Sequence, residues 1–219
     1  MPRRSVPLQA RALILLALLP LSIQAQNLDL PDFIGKIENK YAHLEDLQMS
    51  YKKEVSSHLF TESQATSGVI YLKQPSKYRL ESPDEMVISD GKVVWTYSIG
   101  EKQVTKQNLK PGQEFDFLSF LKDMESTYKS GLGVPEKVEG FNCQRIILTP
   151  KEEGTDFEEL TLWVDSKNYL VRKMEMKDLQ KSKTTFWFAN LRINSRLADS
   201  RFDFKVPDKV ELIDLTKQR

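Results

Sequence analysis

The residues of this chain that could carry out chemistry are few, and their spacing does not favour a reaction. His43 and His58 are the only histidines, and Cys143 is the only cysteine. A zinc site needs closely spaced histidines, such as His-x-His or His-Glu-x-x-His, or several thiolates. Glycine-rich phosphate loops and the Gly-x-Ser-x-Gly turn of serine hydrolases do not occur in the sequence either. We therefore expect a protein without enzyme activity, bound metal or cofactor.

The other polar candidates fit ordinary structural roles. The pairs Glu152-Glu153 and Glu158-Glu159 lie beside a turn predicted at Gly154, and we interpret them as solvated charge. Cys143 precedes an apolar run and has no second cysteine with which to form an intramolecular disulfide. We interpret it as a small core residue rather than a reactive thiol.

Large apolar side chains are the more informative candidates. The chain contains eleven Phe, seven Tyr, three Trp and six Met. Most of these must form the core, but a curved sheet has a concave face that helices must cover, and an incomplete fit leaves an apolar cavity. Methionine and aromatic side chains in such a cavity would adapt to flexible acyl chains. The candidates for the lining are Tyr51, Tyr71, Tyr78, Leu80, Trp95 and Tyr97 from predicted strands, and Phe117, Leu118 and Leu121 from a predicted helix.

The elements that must position these side chains follow from hydrophobic periodicity. Asp29 and Asp32 precede an apolar stripe at helical spacing, which runs from Phe33 to Leu44 and predicts a helix. The period then changes to two, with Lys53 the exception on the apolar side of the first strand. The Asp90-Gly91 pair predicts a hairpin turn. Strands are predicted at residues 47–55, 69–71, 78–80, 86–88, 93–97, 103–106, 143–149, 157–164, 170–178 and 184–193.

A second helix is predicted at residues 114–124, where apolar residues lie on more than one side, and it ends before Gly131, Gly133 and Pro135. The fold class is mainly β, with some α. We expect a single curved antiparallel sheet that forms an open half-barrel, with helices over its apolar concave face. Strand alternation alone leaves the face of each side chain ambiguous by one residue.

The N-terminus predicts export. Arg3, Arg4 and Arg11 are followed by an apolar run and then by Ser22-Ile23-Gln24-Ala25, the order of a cleavable signal peptide. We predict cleavage after Ala25, which divides the chain into a signal peptide at 1–25 and one domain at 26–219. The new first residue would be Gln26, not the cysteine that a lipid anchor requires. The 32 basic and 31 acidic residues are nearly balanced, so the composition does not favour nucleic-acid binding.

Three segments together resemble the LolA family of periplasmic lipoprotein carriers. They are Gly-Val-Ile-Tyr-Leu-Lys-Gln-Pro at 68–75, Ser-Asp-Gly-Lys-Val-Val-Trp-Thr-Tyr at 89–97, and Phe-Asp-Phe-Lys-Val-Pro at 202–207. The resemblance implies an unclosed antiparallel barrel with a helical lid and lipoprotein acyl chains in its cavity. It also implies a periplasmic location, a monomer, delivery by an inner-membrane ABC transporter (LolCDE-like) and release to an outer-membrane receptor (LolB-like).

Many members of that family place a lid-gating arginine before the proline that matches Pro75, and here this residue is Gln74. The latch is then weaker, or it comes from another residue such as Lys73 or Arg79. Two other functions use the same fold. One is carriage of a different amphiphile, such as a glycolipid or phospholipid. The other is regulation of an envelope stress system through a membrane-bound anti-sigma factor, in proteins that usually add a second C-terminal domain.

Overall fold

A computed structural model describes residues 28–57, 63–109, 121, 123–152, 154–155 and 157–217. The predicted signal peptide, His58 and most of the predicted helix at 114–124, including Phe117 and Leu118, lie outside these residues. No helix in the described part of the chain is long and apolar enough to cross a membrane.

Helix α1 spans Leu30–Ala42 and confirms the prediction from the apolar stripe. Pro31 lies in its first turn, where a missing N–H costs nothing because the first N–H groups have no helical acceptor. Its buried face carries Phe33, Ile34, Ile37 and Tyr41. The backbone N–H of Val171 donates a 3.0 Å hydrogen bond to the Tyr41 hydroxyl, which fixes the helix to the sheet.

Within the described residues, the strands form a single sheet of 13 members. The strands are β1 (Asp46–Ser56), β2 (Gln64–Lys73), β3 (Lys77–Glu81), β4 (Glu85–Asp90), β5 (Val93–Ser98), β6 (Gln103–Asn108), β7 (Tyr128–Leu132), β8 (Glu136–Val138), β9 (Phe141–Pro150), β10 (Phe157–Asp165), β11 (Val171–Asp178), β12 (Lys183–Ile193) and β13 (Glu211–Asp214). Their order in the sheet is β13-β6-β5-β4-β3-β2-β1-β12-β11-β10-β9-β7, and β8 also pairs with β9. All the pairs are antiparallel except β13 with β6, which is parallel.

The predicted strands and the mainly β fold class are confirmed, with three additions that the sequence did not predict. Strands β7 and β8 lie where Gly131, Gly133 and Pro135 indicated only a helix end. Strand β13 is a four-residue edge strand whose register follows β6. Short and largely exposed strands lack the alternating pattern, because the neighbouring strand rather than a buried face holds them in place.

The two faces of the sheet are covered by different parts of the chain. Helix α1 packs on one face, called here the inner face, where its side chains join Leu47, Met49, Leu72 and Leu162 in the main core. A short helix, α2 (Met124–Thr127), lies beside α1. Residues 195–204, called here the C-terminal strap, cross the opposite or outer face over β3 and β4 and include a 3-10 helix at Asp199–Phe202. Phe202 of the strap is only 1% exposed.

Candidate functional site: the inner apolar face

Cross-strand pairing places one set of apolar side chains on the inner face. Leu72 lies opposite Tyr78 and Ile70 opposite Leu80 in the pairing of β2 with β3. Tyr51 lies opposite Phe188 in the pairing of β1 with β12. Directly opposed residues share a face, so these side chains all point toward α1. They belong to one cluster that also contains Leu121 and Met124, both completely buried.

Burial on the inner face changes along each strand. Near α1 the side chains are sealed, and Leu47, Met49 and Ile70 are each 1% exposed or less. Farther along β1, and on β10, β11 and β12, several inner side chains are only half-buried although they are equally apolar. This second set, called here the open half, consists of Tyr51, Val55, Phe157, Met174, Met176 and Phe186. The inner face therefore retains apolar surface that a hydrophobic ligand could cover.

Aromatic contacts and methionines shape the open half. The Phe186 ring lies 6.2 Å from the Tyr51 ring and 6.0 Å from the Phe188 ring. Met174 is the cross-strand partner of Phe186 on one side and of Leu162 on the other. Burial raises the pKa of the Tyr51 hydroxyl, and the negative charge of Glu85 raises it further. Flexible thioether side chains beside fixed rings give a surface that can adjust to acyl chains of varied shape.

Gly68 makes room for the Tyr51 ring. A Cβ atom at Gly68 would lie 2.8 Å from Cε1 of Tyr51 and 1.9 Å from the carbonyl oxygen of Glu81. Any larger residue there would force the tyrosine and the neighbouring strand apart.

Comparison with known proteins identifies the family. The family model described as "Outer membrane lipoprotein carrier protein LolA" matches residues 42–205. The chain belongs to the LolA family. It is 30% identical over 164 residues to the outer-membrane lipoprotein carrier protein of Azotobacter vinelandii. The aligned region covers 70% of this chain and 74% of that protein. The carrier of Pasteurella multocida is 27% identical over 187 residues, or 84% of this chain and 87% of that protein.

A solved structure agrees at the level of the fold. The crystal structure of an uncharacterized conserved protein from Thermus thermophilus has a TM-score of 0.56 at 9% identity, with 84% of this chain and 98% of that chain covered. Membership of the LolA family confirms the resemblance drawn from the sequence. It also confirms that the chain is not an enzyme, since the family is one of carriers.

Of the nine residues proposed for the acyl cavity of this LolA-family chain, four lie in the inner cluster. Tyr51 and Leu80 are half-buried at its edge, whereas Tyr78 and Leu121 are buried within it. Tyr78 and Leu121 therefore belong to the core, whereas Tyr51 and Leu80 keep part of their surface exposed, and a role for them in ligand binding stays a prediction. Phe117 and Leu118 lie outside the described residues, so their role stays a prediction.

Tyr71, Trp95 and Tyr97 lie on the outer face, so the prediction that they share a face with Tyr51 is wrong. The guanidinium carbon of Arg201 lies 4.5 Å from the Tyr71 ring centroid. Phe204 of the strap lies 6.2 Å from both Trp95 and Tyr97. The error is the one-residue ambiguity of strand alternation, which only the pairing register resolves.

Met174, Met176 and Phe186 supply much of the open half but are not among the cavity residues predicted from the sequence. The signal was present in the alternation of Met174 with Met176 and of Phe186 with Phe188. The sequence could not show that these strands pair with β1 and one another, nor that α1 leaves this end of them half-covered.

The two residues suggested as substitutes for the family's arginine latch both hold the C-terminal strap. Nζ of Lys73 donates a 2.6 Å hydrogen bond to the carbonyl oxygen of Leu197 and lies 2.8 Å from a carboxylate oxygen of Asp199. Arg79 pairs with Glu81 and donates to the carbonyl oxygen of Arg201 at 3.2 Å. Both side chains therefore act on the outer face.

Gln74 uses its backbone N–H to bond the Glu45 carbonyl oxygen at 3.0 Å. Its role in gating stays a prediction.

Asp46 anchors the start of the strap. It is 1% exposed and accepts hydrogen bonds from the backbone N–H and hydroxyl of Ser195, at 2.8 and 2.9 Å, and from the backbone N–H of Leu197 at 3.1 Å. Burial alone would raise the pKa of this carboxyl, but the hydrogen bonds from Ser195 and Leu197 outweigh it and lower the pKa. The strap is thereby tied to the sheet at the end that lies beside α1.

The strap also borders a cleft of about 450 Å³ on the outer face, separate from the inner cluster. Its lining is Arg79, Ser195, Arg196, Leu197, Ala198, Ser200 and Arg201.

The remaining sequence candidates have structural roles. Cys143 is 1% exposed, and burial raises the pKa of its thiol. His43 is exposed, and its Nδ1 lies 2.8 Å from the carbonyl oxygen of Asn39 at the end of α1. Among the described residues, no group of three His, Cys, Asp or Glu side chains could hold a metal ion.

Proposed function

We propose that this protein carries lipoproteins from the inner to the outer membrane, with their acyl chains held on the inner face of the sheet. The main observation behind the proposal is the open half, where Tyr51, Met174 and Phe186 remain half-buried beside the sealed part of the same apolar face. Membership of the LolA family supports the same function. An unliganded protein gains nothing from leaving such side chains part-exposed, whereas a carrier needs them for its cargo.

The energetics suit a reversible carrier. Each buried CH₂ group contributes about 0.8 kcal/mol, so ten CH₂ groups in contact with the sheet would contribute about 8 kcal/mol. Ordering the chains and the protein side chains offsets part of this gain. The net affinity would hold a cargo during transit and still allow its transfer to a receptor that binds more tightly.

The proposed route begins with export directed by residues 1–25 and cleavage after Ala25. In the periplasm, an inner-membrane ABC transporter (LolCDE-like) would load the carrier. A lipid-anchored outer-membrane receptor (LolB-like) would then take the cargo. The carrier would act as a monomer, because cargo on the inner face needs no second copy.

Photocrosslinking tests the binding surface. A benzophenone amino acid at Phe186 should crosslink to an acylated lipoprotein in the periplasm, because this position lies in the open half. The same residue at Trp187 provides a matched control. Trp187 is next in sequence but faces outward, where Nζ of Lys52 lies 5.4 Å from its ring. Equal crosslinking at the two positions, or none at Phe186, would contradict the proposed surface.

Depletion in cells tests the biological role. Loss of the protein should leave outer-membrane lipoproteins in the inner membrane, measured by fractionation and immunoblotting. Normal delivery in fully depleted cells would refute the carrier function.

A further inference from the structure

Lys53 is a cation on the apolar inner face. The pairing register sets it opposite Thr66 of β2 and Phe186 of β12. Its Nζ lies 5.9 Å from the centroid of the Phe186 ring, and the residue is half-buried. The exception to the alternating pattern of β1 is therefore a lysine that points toward the open half.

The charge of Lys53 is not balanced within the described residues, where no carboxylate lies within ion-pair distance of its ammonium group. Lys52 provides the contrast. It faces outward, pairs with Glu54 at 2.6 Å and lies over the Trp187 ring. Lys53 therefore presents an ammonium group that has no carboxylate partner among the described residues and lies at the apolar surface of the open half, where an anionic ligand could pair with it.

Hydroxyl groups border the same site. Thr66 is the direct partner of Lys53 on β2, and Thr184 precedes Phe186 by two positions on the inner side of β12. Both are half-buried. On the same face, the negative charge of Glu85 acts on the Tyr51 hydroxyl. The ammonium and the two hydroxyls, from three neighbouring strands, can thus donate hydrogen bonds to one headgroup that has several acceptor oxygens.

We infer that the open half also binds an anionic phospholipid, with the acyl chains on the Met174 and Phe186 surface and the phosphate at Lys53. The inference rests on the proposed function, in which this face takes acyl chains. It adds a preference that acyl contacts alone cannot give, because they do not distinguish a charged headgroup from a neutral one. A phosphate fits the set better than a carboxylate, since it offers more oxygens to the ammonium and the hydroxyls.

The test is a competition assay with delipidated full-length mature protein and a bound fluorescent diacylglycerol. Dioleoylphosphatidylglycerol and dioleoylglycerol, which share their chains, are compared as competitors below their aggregation limits. The wild-type protein should prefer the phospholipid about tenfold, because only the phospholipid offers an anionic group to the Lys53 ammonium. The Lys53→Gln variant should lose this preference and keep its affinity for dioleoylglycerol.

Two variants control for general effects. Lys52→Gln removes the same charge from the outer face and should keep the preference, while Lys53→Arg keeps the charge and should keep most of it. The inference fails if the wild-type protein shows no preference, if Lys53→Gln retains it, or if Lys52→Gln loses it equally. Binding of a triacylated cysteinyl peptide, run in parallel, tests the carrier proposal. If the peptide binds and the phospholipid preference is absent, only the further inference fails; if nothing acylated binds, the proposed function fails.

Discussion

A carboxylate in place of Met174 should strongly weaken binding to the open half. Met174 lies between Leu162 and Phe186, its cross-strand partners on the inner face, so a new charge there has apolar neighbours on both sides. The Met174→Asp variant would remove an adaptable contact and place an unpaired charge beneath the acyl chains. The sheet itself should persist, because the residue is only half-buried in the unliganded protein.

The size of the effect follows from these surroundings. Complete burial of a methionine side chain contributes about 1.5–3 kcal/mol, and a half-buried residue has about 1 kcal/mol left to gain from a ligand. Covering an unpaired polar group with an apolar ligand costs about 2 kcal/mol more, and a charge costs at least as much. The sum of about 3 kcal/mol corresponds to a loss of affinity of about a hundredfold.

Titration with a fluorescent fatty acid measures this loss directly. Circular dichroism and urea unfolding of the same samples establish that Met174→Asp is folded. The matched control is Thr149→Asp, which adds the same charge at an exposed position of β9. Binding by folded Met174→Asp within twofold of the wild-type protein, or an equal loss of affinity in Thr149→Asp, would show that Met174 does not contact the ligand.

Three further substitutions test the geometry. Gly68→Ala should lower the free energy of unfolding by about 3 kcal/mol, because its methyl group would overlap the neighbouring strand; an unchanged urea midpoint would contradict the packing described. Asp46→Ala should cost about 2–4 kcal/mol at pH 7 through lost hydrogen bonds. Folding lowers the pKa of this carboxyl, so its contribution to the free energy of unfolding is present above its unfolded pKa of roughly 4. That contribution is lost as the pH falls through the folded pKa. The stabilities of the wild-type protein and the variant should therefore converge in acid. Phe204→Ala should shift tryptophan emission to longer wavelengths by exposing Trp95, with fatty-acid binding unchanged; loss of binding would contradict the outer position of Trp95.

The sequence predicted most of the secondary structure because burial repeats with the period of each element. The stripe from Phe33 to Leu44 predicted α1, and alternation predicted ten of the strands. The prediction missed β7, β8 and β13, which are short and lie largely exposed near the sheet edges. Their position depends on pairing with a neighbour that the local sequence does not specify.

The candidate site was predicted less completely. Of the residues proposed for the cavity, Tyr51 and Leu80 lie on the inner face, whereas Trp95 and Tyr97 lie on the outer one. Each is an aromatic or aliphatic residue in an alternating strand, and composition does not distinguish a side chain that faces α1 from one that faces the C-terminal strap. Both faces of this half of the sheet are apolar, so polarity gave no reference for which face was inner.

Local sequence patterns were sufficient to predict most of the helices and strands, the mainly β class and a lysine on the apolar side of β1. Those properties depend on side chains within a few positions of one another, which local periodicity records. The tertiary structure alone decided which residues share a face, which half of that face α1 leaves open, and that Lys53 points into it. These depend on pairing between strands far apart in the chain, where a register shift of one residue exchanges the two faces.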